Sequence, residues 1–128
     1  MKAFLYVGLG GAIGAMARYG FSMISMKAAI PINTLLINIL GSILIGFIAQ
    51  LALSSHVSPQ LVLLIKTGIC GGFTTFSTFS LETFQLIEKK AWLPAVSYIF
   101  TSVMLCGDWG IFEECYGDQF LVQEIFAF

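Results

Sequence analysis

Charge is what this sequence has least of. Only 10% of its 128 residues are Asp, Glu, Lys or Arg, while 58% are hydrophobic. A soluble domain of this size would lack the polar surface it needs to face water. The net charge of −1 gives no reason to expect nucleic acid or an acidic partner. Histidine occurs once, at His56 in a polar turn, and no nucleophile, base and acid come together. The usual enzyme constellations are therefore absent. The three cysteines, Cys70, Cys106 and Cys115, are odd in number and widely spaced. Without a CxxC or a Cys/His cluster, neither a zinc site nor a disulfide framework is expected, and Cys70 reads as a small packing residue.

What the chain has instead is long apolar runs. They predict spans at about Ala3 to Ile24 and Ile30 to Leu53, a third from Pro59 through about Leu86, and a fourth from Trp92 through Cys106. A membrane helix needs about 20 residues, so four spans with short connections use up this length. Met1-Lys2 and Ala15-Met16-Ala17 imitate a secretory signal, but Gly8, Gly10, Gly11 and Gly14 suit helix packing better than a signal core. The expected fold is an all-α membrane protein with four transmembrane helices. Residues 1–106 form the four-helix subunit, and 107–128 hold the end of the fourth helix and an atypical acidic tail. Asp108, Glu113, Glu114, Asp118 and Glu124 lie in that tail with no Lys or Arg. Burying Asp108 in hydrocarbon would cost about 2.5–3.5 kcal/mol, so the fourth helix is expected to end near Gly107 to Phe112. Lys2 on one side against Lys27, Lys89 and Lys90 on the other leaves orientation weakly specified.

The third span contains Gly71-Gly72-Phe73-Thr74-Thr75-Phe76-Ser77-Thr78-Phe79-Ser80. Adjacent glycines and hydroxyls weaken a helix, so the third helix is expected to be broken at Gly71 to Thr75. In hydrocarbon a break is tolerated only where protein buries it or where it lines a pathway. Freed carbonyls there are hard-cation ligands, and two copies meeting at the break would form a four-oxygen cage. Phe76 and Phe79, three apart on one helical face, carry positive ring edges. Asn38, mid-span, offers amide donors, with Thr34 one turn earlier on its face. Rings, amide and hydroxyls together can replace the water around a small, hard anion without a fixed cation that would trap it. Each residue also has a plainer reading: aromatics as packing, Asn38 as glue between helices, and Arg18 as an anchor at the interface rather than a cation at the mouth of the pathway. No repeat is visible between halves, so a pathway through so few helices forms between chains. Gly10 and Gly14, spaced as GxxxG, offer a close-approach face for that contact, and Gly41-Ser42 with Gly46 a second.

The glycine-hydroxyl-phenylalanine run, with Glu82, resembles the signature of the bacterial Fluc/CrcB fluoride channels. The segments from Gly10 to Tyr19 and from Asn33 to Ser42 are similar to that family's other two motifs. The resemblance covers roughly residues 3 to 106, and past Ser102 the chain departs from the pattern. It implies an antiparallel dual-topology homodimer in the bacterial inner membrane, with two fluoride pathways and a structural sodium ion at the interface. Carried over, Phe76, Phe79 and Asn38 look like pore residues and Arg18 like the first-span arginine. Tyr98 and Ser102 look like members of a polar track, with Thr34 and Thr75 as further members. Gly71 and Thr74 look like the carbonyl ligands of sodium. The implied partners are fluoride, membrane lipid and a second copy of the chain; the implied function is passive fluoride export. A small proton-coupled multidrug-type exporter and a non-transporting assembly subunit are the alternatives. The exporter needs a carboxylate in the membrane, and the first two spans contain none.

Overall fold

In a computed structural model the described residues are 1–116 apart from 25, 27 and 54–56, with side chains described as far as 107. Their regular structure is all helix, with no strand among them. Helix α1 is Lys2–Ser22 and α2 is Ile32–Leu53. Helix α3, residues 59–73, starts with α-helical Pro59–Val62, continues as a π-helix over Leu63–Cys70 and closes with Gly71–Phe73. Helix α4 is Phe76–Glu88 and α5 is Trp92–Tyr116.

Local chemistry sets several of these ends. Ser58 caps α3 by accepting the Leu61 N–H, and Pro59 occupies the first turn, where its missing donor costs nothing. Thr75 caps α4 in the same way, its hydroxyl accepting the Thr78 N–H at 3.2 Å. The α2 start is tied back across the preceding loop by Asn33 Nδ2, which donates to the Ile24 carbonyl.

Helices α1 and α3 form the closest pair, and α2 lies against α3 and α5. The α1–α3 contact is backbone on backbone. A Cβ on Gly10 would meet the Leu64 carbonyl and lie 2.8 Å from the Gly68 Cα. One on Gly14 would meet the Ile69 carbonyl and lie 2.8 Å from the Phe73 nitrogen. One on Gly72 would lie 2.5 Å from the Gly11 carbonyl. The Gly10/Gly14 face expected between chains is therefore used inside one chain, and Gly41 is likewise closed against the Thr74 side chain. The physical reason is that α3 carries its own glycines opposite those of α1, so the two backbones mesh.

The break also differs from expectation in position. Gly71 and Gly72 are helical, with Gly71 at φ −62°, ψ −35°. The chain leaves the helix only at Thr74 (ψ 157°) and Thr75 (φ −152°, ψ 111°). The glycines serve close approach, and the threonines make the break. At the other end, α5 does not stop at Gly107 to Phe112 but runs to Tyr116. A helix satisfies its own backbone whatever side chains it carries, so Asp108 does not end it. The acidic tail beyond 116 lies outside the described residues.

By length and hydropathy, Ile32–Ala52 and Pro59–Glu88 are long and apolar enough to cross a membrane, and Trp92–Gly107 is a shorter apolar helix. Large apolar side chains face outward, among them Phe4, Leu93 and Phe100, whereas Tyr98 and Cys70 are the largest fully buried side chains among the described residues. Such a surface is stable against lipid rather than water. Gly10→Val or Gly14→Val should destabilise the protein by about 1–3 kcal/mol through overpacking. Gly20→Ala, with nothing within 4 Å, should not lower the melting temperature in detergent, which is the measurement for all three.

Candidate functional site

The threonine break is held from across the helix pair by one side chain. Asn38 Oδ1 accepts the Thr75 N–H at 2.9 Å, and Asn38 Nδ2 donates to the Thr75 carbonyl at 3.3 Å. The carboxamide stands in for a peptide group, and the pairing fixes which of its ends is oxygen. One hydrogen of the Asn38 amide is thus spent on the backbone, leaving the other for the space beside it. Ser42 Oγ donates to the Asn38 carbonyl at 2.9 Å. Thr75 Oγ1 donates to Thr78 Oγ1 at 3.0 Å and lies 3.3 Å from Ser77 Oγ.

That space is a cavity of about 330 Å³, open on one side, lined by Asn38, Ser42, Ile45, Thr74, Thr75, Phe76, Phe79, Ser102, Val103 and Cys106. It holds no charged side chain. Five of the residues singled out for an anion pathway, Asn38, Thr75, Phe76, Phe79 and Ser102, meet in it. The Phe76 and Phe79 rings are tilted at 42° with centroids 5.6 Å apart. Phe76 is 78% exposed, so its outer side lacks a covering group among the described residues. Ser102 Oγ is buried and has no hydrogen-bond partner among the described residues.

Thr34 and Tyr98 do not line the cavity. Both hydroxyls donate to one carboxylate: Thr34 Oγ1 to Glu82 Oε1 at 3.0 Å, and Tyr98 Oη to Glu82 Oε2 at 2.8 Å. The Tyr98 ring packs on Phe79, with centroids 5.1 Å apart, which joins this triad to the cavity. Glu82 also lines a second cavity of about 260 Å³ with Met26, Pro31, Gln85 and Lys89. Sequence reasoning used Glu82 only as part of a signature and missed its place at the centre of the triad. The available signal was an acidic residue on an apolar helix, which must find donors. Ser42, expected on a close-approach face, lines the first cavity instead.

Arg18 is half-buried on α1 and makes no ion pair or hydrogen bond with the described residues; it does not reach either cavity. Gly71 and Thr74 sit at the break. Because the Thr75 N–H goes to Asn38, it does not close the helical bond to the Gly71 carbonyl. The Thr78 N–H goes to Thr75 Oγ1 in place of the Thr74 carbonyl. Both carbonyls are thereby released, and the side of Gly71 where a Cβ would stand is open. No group of three or more His, Cys, Asp or Glu side chains that could hold a metal ion exists among the described residues; the uncharged oxygens at the break are of the hard-ligand type.

The family model described as CrcB-like protein, Camphor Resistance (CrcB), matches residues 5–110. A fluoride-specific ion channel FluC from Methanococcus aeolicus is 46% identical over 107 residues, covering 83% of this chain and 87% of that protein. One from Shewanella woodyi is 43% identical over 128 residues, 98% of this chain and all of its own length. That alignment takes in most of the acidic end as well. One from Sorangium cellulosum is 41% identical over 110 residues, 83% of this chain and 87% of that protein.

Removing the clamp should be costly. Asn38→Leu leaves the Thr75 N–H unpaired, a loss of about 1–3 kcal/mol, visible as a lower melting temperature and faster hydrogen exchange at the Thr75 amide.

Proposed function

This chain belongs to the CrcB family, and on that footing we propose that it is a fluoride-specific ion channel and not an enzyme. One observation carries the reading: the cavity at the Thr74–Thr75 break is lined by an amide, hydroxyls and phenylalanines, with no charge of either sign. An anion entering it exchanges water for the free Asn38 N–H and the positive edges of Phe76 and Phe79. None of these is a full cation, so binding stays weak enough for release. A small, hard anion gains most, because close donors can enclose it and larger anions hold them apart. Neither an exporter nor an assembly subunit is favoured by the relatives' names.

The channel works in the reading we prefer as an antiparallel, dual-topology homodimer of four-span subunits in the bacterial inner membrane, lowering cytoplasmic fluoride by passive export. The exposed Phe76 supports a second copy, since a pore aromatic at 78% exposure would otherwise face lipid. Thr34 and Tyr98 join the pathway when they exchange the Glu82 carboxylate for the ion, and Arg18 serves as a cation near a helix end. The released Gly71 and Thr74 carbonyls fit a sodium ion held between two copies, where it would supply fixed positive charge that ties the two breaks together. This chain's part is to present those oxygens, which the Asn38 clamp does by diverting the Thr75 N–H.

In liposomes the purified protein should pass fluoride and largely exclude chloride; equal fluxes of the two would overturn the reading. Phe76→Ile or Phe79→Ile keeps bulk and removes the positive ring edge, so efflux should fall by a large factor. The same variants should remain dimeric by size-exclusion chromatography. Replacing sodium by an organic cation should lower dimer stability and flux together, and no change in either would argue against the interfacial ion.

A further inference from the structure

We propose that the groove between the starts of α1 and α3 is a binding site for an anionic phospholipid, whose phosphate sits between Lys2 and Gln60. The two helices run parallel, because Gly10 and Gly14 of α1 meet Gly68 and Phe73 of α3 in the same order along each chain. Their first turns therefore lie at one end of the helix pair. There they leave a cavity of about 290 Å³ lined by Lys2, Ala3, Tyr6, Pro59, Gln60 and Leu63. Pro59 also begins the apolar stretch long enough to cross a membrane, which puts the cavity at the level of the lipid headgroups. Its polar side chains carry an ammonium, a phenol and a carboxamide, all able to donate to a phosphate oxygen. None of the three has a hydrogen bond or ion pair among the described residues.

Charge complementarity selects the occupant. Residues 1–81 contain no Asp or Glu, so the charged side chains of these two helices are all positive: Lys2 and Arg18 on α1, and Lys66 on α3. Helix α5, which bears the acidic end, packs instead against α2 and α4. A zwitterionic headgroup would bring its own ammonium beside Lys2, with no carboxylate on either helix to receive it. A headgroup of net negative charge leaves no such group over, and basic pockets between membrane helices suit it. The rest of the lining, Ala3, Pro59 and Leu63, is apolar, and Phe4 and Leu61 on the bordering turns are exposed. These suit acyl chains and offer nothing to a free phosphate, so the occupant is a lipid rather than an ion. Tyr6, one turn in from Lys2, has the amphipathic ring that favours this depth. The lipid would join α1 to α3 at the end where a cavity replaces their glycine contacts.

The test uses the full-length protein in detergent, with dioleoylphosphatidylglycerol, dioleoylphosphatidylcholine or inorganic phosphate added and the retained molecules counted by native mass spectrometry. Phosphatidylglycerol should be retained several-fold more tightly than phosphatidylcholine. Lys2→Gln should lower its affinity by about fivefold, the weight of one Lys near an anionic headgroup, and Lys2→Arg should restore it. Phosphatidylglycerol carrying a diazirine on its acyl chain should crosslink to peptides that hold residues 1–6 or 59–63. Equal retention of the two lipids, or a Lys2→Gln variant that binds as the parent does, would overturn the inference. So would crosslinks confined to other helices. Displacement of the lipid by inorganic phosphate would overturn it too, since the site would then take a free ion. Each of these results leaves the channel reading intact, because that reading rests on the cavity at the threonine break.

Discussion

The reciprocal pair of hydrogen bonds between the Asn38 carboxamide and the Thr75 backbone is the constraint on which the site depends. An interrupted helix within an apolar layer must find partners for the groups it frees, since neither lipid nor a dry interior supplies them. Asn38 satisfies both polar groups of Thr75 at once, at 2.9 and 3.3 Å. That single contact holds the end of α3 against α2, frees the Thr75 hydroxyl to cap α4, and leaves the carbonyls of Gly71 and Thr74 without helical donors. It also turns one side of the break into a cavity. Structural support and functional lining come from the same amide, one hydrogen serving each.

A second constraint sets where that cavity can be. Backbone-on-backbone packing between the glycines of α1 and α3 brings these helices closer than any pair with Cβ atoms could come. With α1 and α3 locked together, the broken part of the third span stays next to α2 and α5, where Asn38 and Ser102 are. The other polar assembly, Thr34 and Tyr98 on Glu82, lies on the far side of Phe79. The Phe79 ring belongs to both, lining the cavity and packing on Tyr98. A carboxylate held by two hydroxyls is itself a model for how these donors accept a small anion, because the same two hydrogens would point at either.

Much of the arrangement was legible in the residues. The span positions follow from hydropathy. Asn38, Thr75, Phe76, Phe79 and Ser102 were singled out from residue type, position or family resemblance before any contact was known, and the fold brings all five to one cavity. Other points were hidden. Glu82 could not be paired with Thr34 and Tyr98, 48 and 16 residues away, because hydropathy carries no information on which helix faces which. The extent of α5 was misjudged for a related reason: a charged side chain makes insertion costly but leaves the helical backbone bonds unaffected.

The sequence by itself determined that this is an apolar helical protein with one interrupted span and almost no charge to spare. Those properties rest on solvation and backbone bonding, which each segment expresses locally. Tertiary structure decided what the interruption consists of and what each small residue is for. Gly71 and Gly72 could equally have unwound the helix; that they stay helical while Thr74 and Thr75 open follows from Gly11 approaching Gly72 and from Asn38 capturing Thr75. A glycine offers both freedom and room, and only its neighbours across the helix pair settle which of the two is used.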